Sequence, residues 1–314
     1  MKAPSWTRSE TCLTRMKNRS VLLLLVLALV LSACRTAAPT ASGLPRVLAV
    51  ESFLADIAQN VAGDRLKVDL LVPLGVDPHE YQPTPQDLVR ISDSQVLIVN
   101  GLGYEWWLQK TLDSLGGQRR VLTATDGLTP LKDATGTTAD PHMWLDPMLV
   151  VHYVENIRDG LTKADPAGAD VYAPNAAGYI HQLNVLDQWI AERVATVAVS
   201  NRQLVTDHDS LAYFADRYGF TVVGAIIPSV STDSAPTAQD LARLVAQIQQ
   251  TGAPAIFLEV TANPKLAQQI AAETGIRVVG DLYLESLSAP DGPAPSYLLM
   301  MRHDVDAIVS ACMT

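Results

Sequence analysis

From residue 47 onward the apolar positions of this chain fall into two alternating patterns. Short runs rich in Val, Leu and Ile cover 47–50, 67–72 and 95–99. Between them, apolar residues recur every three or four positions from Phe53 to about Ala62, and again after Thr84. The second half repeats the plan, with strand-like runs at 203–206, 221–227 and 255–259 and helical spacing at 210–218 and from Ala238 to about Gln250. Strands that alternate with helices predict parallel pairing and an α/β fold, because a parallel connection needs a crossover element.

Two of the helix starts are nearly copies of each other. Residues 83–90 read PTPQDLVR and residues 236–243 read PTAQDLAR, agreeing at six of eight positions. In each, a Thr stands where an N-cap belongs and an Asp three residues later completes a capping box. Such a box is common chemistry, but its recurrence after an apolar strand or a loop in both halves predicts two lobes of related architecture. Between the halves, Ile180, Leu183, Leu186, Ile190 and Val194 sit at helical spacing. A helix over 175–197 would span about 35 Å, enough to run the length of a domain. The expected organisation is an N-terminal lobe at 46–165, a connecting helix within 166–198 and a C-terminal lobe at 199–314.

The most apolar run of all precedes these lobes. Residues 21–31 are eleven uninterrupted apolar positions, preceded by Lys17 and Arg19. As a helix they reach about 16 Å, short of a hydrocarbon core of about 30 Å. This is a signal-peptide core rather than a membrane span. The following Leu31-Ser32-Ala33-Cys34 resembles a bacterial lipobox, which predicts a signal peptide at 1–33, lipidation of Cys34 and a tether over 34–45 rich in small residues and proline. Cys12 falls in the leader, so Cys312 has no partner for an intrachain disulfide and the mature fold must rest on its own core. Without residues 1–33 the chain keeps 18 basic and 32 acidic residues, a net charge of −14. That balance argues against nucleic-acid binding and weakly favours cations.

Four residues carry most of the candidate chemistry: His79, His142, His208 and Glu285. Their spacings of 63, 66 and 77 residues are too wide for a local motif, so only folding could assemble them. Three imidazoles and a carboxylate are a full donor set for a four-coordinate divalent ion. The first two histidines share a frame, Asp77-Pro78-His79 and Asp140-Pro141-His142, and proline restricts each loop. In a parallel sheet, ligands collect beyond the carboxyl ends of the strands, which is where these residues fall. Asp281 and Glu80 are rival carboxylates to Glu285. Asp146, Asp207 and Asp209 are the nearest sequence candidates to orient the imidazoles. His152, His181 and His303 read as ordinary surface or core residues, Trp106 and Trp107 as helix packing, and Trp144 as a wall of the site.

On these residues the chain resembles the cluster A-I metal-binding receptors of bacterial ABC transporters, a family of zinc- and manganese-binding lipoproteins. Residues 75–85 (GVDPHEYQPTP) resemble its first ligand loop, 100–105 (NGLGYE) and 140–147 (DPHMWLDP) two further segments, and 284–287 (LESL) the last ligand segment. The resemblance runs over essentially the whole mature chain. It implies two four-stranded parallel sheets joined by a backbone helix, with the ion between them and an ABC permease and its ATPase as partners. A monomer lipid-anchored on the outer face of the cell membrane is expected. Three nitrogens and one oxygen favour Zn²⁺ as the transported ligand over Mn²⁺, although the short, histidine-free stretch at 126–140 lacks the His-rich loop of many zinc receptors. Two other classes have less support: a secreted zinc hydrolase would keep a coordination position open for water, and no His-Glu-x-x-His motif is present; an adhesin would need an exposed patch that the sequence does not identify.

Overall fold

The computed structural model describes residues 43–133 and 136–313. The leader, Cys34 and most of the tether lie outside them. Four strands, β1 (Val47–Ala49), β2 (Val68–Leu70), β3 (Val96–Val99) and β4 (Arg120–Thr123), form one parallel sheet in the order β2-β1-β3-β4. A second parallel sheet takes β5 (Gln203–His208), β6 (Thr221–Ile227), β7 (Ala255–Glu259) and β8 (Arg277–Leu282) in the order β6-β5-β7-β8. The second, first, third and fourth strand of each lobe therefore occupy equivalent places, and the related architecture expected from the repeated octapeptide is present in the topology.

Helices α1 (Ser52–Ala62), α2 (Pro85–Asp93), α3 (Leu108–Leu115) and α4 (Pro147–Ala164) accompany the first sheet. α5 (Ala169–Ala195) leads to the second, which carries α6 (Ala212–Tyr218), α7 (Ala238–Thr251), α8 (Lys265–Thr274) and α9 (Tyr297–Cys312). Both capping boxes form: the Thr84 and Thr237 side chains accept from the amides of Asp87 and Asp240, and each carboxylate accepts from its Thr amide at 3.0 Å.

The connecting helix starts earlier than periodicity alone predicts. It opens at Ala169 and carries Pro174 in its interior. Pro174 forfeits only the bond its N–H would give to the Asp170 carbonyl, and the packing stripe outweighs that loss. Tyr172, Ala176, Tyr179, Leu183, Leu186, Ile190 and Val194 are all buried at spacings of three and four. This face packs on α1, α4 and α9, so α9, the last helix, is bound to the first helix through α5. One hydrophobic cluster runs through both lobes, from Val47 through Trp144 and Leu183 to Cys312. The thiol of Cys312 lies inside it, and burial pushes its pKa up to about 11. No described helix is long and apolar enough to cross a membrane.

Candidate metal centre

The shared Asp-Pro-His frame has a concrete geometry. In both copies the Asp side chain accepts a hydrogen bond from the amide two residues on: Asp77 Oδ1 from His79 N at 2.8 Å, and Asp140 Oδ1 from His142 N at 2.9 Å. This is an Asx turn with proline at its centre, and it aims the histidine without help from distant residues. Long-range bonds then fix the loops. Trp106 Nε1 donates to the His79 carbonyl at 2.7 Å, and Asn100 Nδ2 to the Pro141 carbonyl at 3.0 Å.

The C-terminal lobe presents its two residues differently. His208 is the last residue of β5. Glu285 lies three residues beyond β8, in a segment with no sheet ladder to hold it. Buried carboxylates replace the ladder: Glu259 Oε2 accepts from the amides of Leu284 and Glu285 (3.2 Å for the latter), and Asp304 Oδ1 from the amide of Tyr283 at 2.8 Å.

These elements bring all four candidate residues together. His79, His142, His208 and Glu285 form the one group among the described residues with three or more His, Cys, Asp or Glu ligand atoms mutually within 4.8 Å. Glu285 Oε1 lies 3.1 Å from His79 Nε2, 3.4 Å from His142 Nε2 and 3.1 Å from His208 Nε2. His142 Nε2 is 3.4 Å from His79 Nε2 and 3.2 Å from His208 Nε2. Five of the six separations among the ligand atoms are thus 3.1–3.4 Å, the edge expected of a tetrahedron whose corners lie about 2.0 Å from its centre, the Zn–N and Zn–O bond length. No residue of the four is more than 2% exposed.

Proton placement supports the same fit. His142 Nδ1 lies 2.8 Å from Asp140 Oδ1, and His208 Nδ1 3.1 Å from Asp207 Oδ2. An ionised carboxylate can only accept, so each Nδ1 carries a proton and Nε2 is the ring atom turned inward, where its lone pair can serve a metal once its own proton is gone. Both Glu285 oxygens are buried without a hydrogen bond, although Oε1 touches three imidazoles. Ring nitrogens and a buried carboxylate that face one point need either protons or a cation there.

Electrostatics make the metal-free site a proton trap. Burial alone would lower the His142 pKa, but the hydrogen bond and charge of Asp140, followed by Glu285, raise it above the ordinary imidazole value. For His208, burial again opposes, and the charges of Glu285 and Asp207 win, leaving it well raised. Burial would raise Glu285, yet the charges of His79 and His208 hold it well below the usual carboxylate range. Behind it, burial and then the Glu285 and Asp304 charges raise Glu259 strongly, and burial pushes Asp304 up to about 8.

The residues around the rings differ in part from the sequence expectation. Asp207 bonds His208, but Asp146 and Asp209 bond no imidazole. Asp146 caps α4 through the Met148 amide and pairs with Arg217 at 3.2 Å, because its carboxylate is already committed to the helix start. Asp209, one residue past the end of β5, makes no hydrogen bond to His208 with its side chain, and the partner of His142 is Asp140. The duplicated frame was the signal that could have identified Asp140, since its Asp lies two residues before each ring. Asp281 and Glu80 are exposed and outside the cluster. Trp144 lies against His142, with ring centroids 5.1 Å apart, and Trp107 is buried, whereas Trp106 is 56% exposed. Glu259 and Asp304 carried no sequence signal at all.

A family model described as the zinc-uptake complex component A, periplasmic, matches residues 47–311. The chain belongs to this family. It is a substrate-binding component of a metal ABC transporter and not an enzyme. It is 36% identical over 260 residues to the manganese-binding lipoprotein MntA of Halalkalibacterium halodurans, covering 82% of this chain and 85% of that one. The iron-binding protein YfeA of Yersinia pestis is 34% identical, over 84% of this chain and 85% of its own. Among solved structures, the periplasmic zinc-binding protein TroA of Treponema pallidum superposes with a TM-score of 0.82 at 28% identity, covering 87% of this chain and all (100%) of TroA.

Proposed function

We propose that this protein captures Zn²⁺, in preference to Mn²⁺, on the outer face of the bacterial cell membrane and delivers it to an ABC permease driven by its ATPase. His79, His142, His208 and Glu285 are the ligands, with Asp140 and Asp207 orienting two of the imidazoles. Three nitrogens and one oxygen with five of their six separations at 3.1–3.4 Å carry the reading, because this donor set and spacing suit Zn²⁺. For a given site of this kind, Zn²⁺ also stands above Mn²⁺ in intrinsic affinity. Four protein ligands leave no position for an activated water, in keeping with transport rather than hydrolysis. Cys34 carries the lipid that holds the monomer at the membrane.

Complete burial of the ligands sets the mechanism. Cargo can neither enter nor leave while the site is closed, so loading and delivery both require the lobes or the Glu285 segment to separate. The long α5, packed along both lobes, limits that motion to a small opening.

A manganese receptor is the second reading, favoured by the 36% identity to a protein named for manganese. Elemental analysis separates the two. Mature protein, stripped and offered equimolar Zn²⁺ and Mn²⁺ at pH about 7, where neutral imidazole is available, is expected to retain one zinc per chain. Preferential manganese overturns the metal assignment, and retention of neither ion overturns the site.

A further inference from the structure

The segment that carries Glu285 belongs to the C-terminal lobe by sequence but is held by both lobes. On its own side, Glu259 and Asp304 take the amides of Tyr283, Leu284 and Glu285. From the other side, Trp144 Nε1 donates to the Leu284 carbonyl at 2.7 Å, and the Gly75 amide donates to Ser286 Oγ at 2.8 Å. These two N-terminal-lobe contacts grip the residues immediately before and after Glu285. Each also starts from a ligand loop: Trp144 is two residues past His142, and Gly75 opens the loop that ends in His79. The Trp144 ring is fully buried and stacked on Phe53 with centroids 4.4 Å apart, and its carbonyl accepts from Tyr297 Oη at 2.7 Å, so the indole has little freedom to follow the segment if it moves.

We infer that Trp144 and Ser286 form a clasp across the lobe interface that sets the rate of metal release. The clasp rests on Glu285 being a ligand, as proposed above. While it is closed, withdrawing the carboxylate means breaking the indole bond and stranding the buried Leu284 carbonyl. Opening the lobes breaks both clasp bonds, together with the Leu287 amide's bond to Ser52 Oγ at 2.9 Å, and carries Glu285 away with its own lobe, whereas His142 stays with the Trp144 side. Trp144 and Ser286 are positioning residues and touch no metal; they act through Glu285.

The test uses the mature protein and two substitutions of different severity. W144F keeps an aromatic ring on Phe53 but removes the N–H, and S286A removes only the hydroxyl. Zn²⁺ release into excess chelator is expected to accelerate about tenfold in W144F, the effect of losing one hydrogen bond at a buried carbonyl. A smaller acceleration of roughly two- to threefold is expected in S286A, whose partner Gly75 is exposed. The visible spectrum of bound Co²⁺, intense in a tetrahedral site and weak in a six-coordinate one, should lose intensity in W144F as Glu285 spends time detached. A purely structural role would lower the melting temperature of the metal-free protein and leave release and spectrum unchanged; that result overturns the clasp. Should W144F fail to fold, S286A decides alone, and wild-type release from it overturns the inference. E285A and H142A run in parallel: if they bind Zn²⁺ like wild type, the ligand assignment itself fails, whereas their loss of binding beside unaltered release in W144F and S286A condemns only the clasp.

Discussion

The two lobes share a strand order and a capping box, yet they present their metal-facing residues by opposite means. The N-terminal lobe does it locally. His79 and His142 each stand two residues after an Asp that accepts their own amide, with a proline between. In the C-terminal lobe His208 ends a strand beside its neighbour Asp207, whereas Glu285 is held at long range. Glu285 is placed by Glu259, 26 residues earlier, by Asp304 from the last helix and by Trp144 from the other lobe. A locally built ligand survives as a rigid part of its lobe, whereas a ligand built from distant contacts can be withdrawn when those contacts part. The division suits a receptor that must hold an ion and then give it up.

Removing a locally built ligand gives the largest expected effect. His142→Ala should weaken Zn²⁺ binding by about a thousandfold, since it takes away a ligand as well as the ring that Asp140 orients. Chelator competition measures this, and near-wild-type affinity would place His142 outside the site. Next comes the carboxylate behind the ring. Asp140→Ala should cost roughly 10- to 100-fold in affinity, while Asp146→Ala should leave affinity alone and lower stability by about 1 kcal/mol through the lost α4 cap. Equal effects on affinity from the two substitutions would erase the distinction drawn between them.

Acidification probes both lobes at once. The raised pKa values of His142 and His208 mean that the metal-free site keeps its protons to a higher pH than free imidazole, which titrates near about 6.5. Those protons must leave before Nε2 can bind, so affinity climbs with pH through the raised range. It falls on acidification by up to about tenfold per pH unit for each proton displaced. Glu285, held low, stays ionised throughout and adds nothing to this slope. Calorimetry in buffers of different ionisation enthalpy should detect proton release at neutral pH, and a buffer-independent heat would contradict the trapped-proton site.

The smallest effect compares the duplicated caps. Thr84→Ala and Thr237→Ala should each lower stability by about 1 kcal/mol. The first should cost more, because Asp87 is also bound by the Tyr81 hydroxyl at 2.7 Å while the second box is exposed. Urea denaturation of the metal-free variants compares them, and the reverse order would show that the shared box does not serve both lobes alike.

How much could be read in advance follows the same division. Strands β6 and β7 match their predicted bounds, and both capping boxes were visible, because alternation, apolar runs and Thr-x-x-Asp are written in neighbouring residues. β8 was not delimited: only Leu282 of its six residues is buried and three are exposed, so no long apolar run marks it. α5 starts at Ala169 rather than at 175, because seven buried residues on one stripe outweigh the proline inside it. At the site, the Asp-Pro-His copies singled out His79 and His142 but were not extended to Asp140 as the partner of its own ring. Glu285 could not be separated from Asp281 and Glu80, since exposure distinguishes them and exposure is a property of the packed chain.

By itself, then, the sequence determined the α/β class, the repeated capping boxes and the two Asp-Pro-His histidines, each written in residues within a few positions of one another. Only the tertiary structure decided that the four candidate ligand atoms lie 3.1–3.4 Å apart in five of their six pairs, which carboxylates turn the rings, and that the Glu285 segment is gripped from both lobes. The ligand atoms belong to residues 63 or more positions apart, and chain connectivity places little constraint on them until the core around α5 has packed.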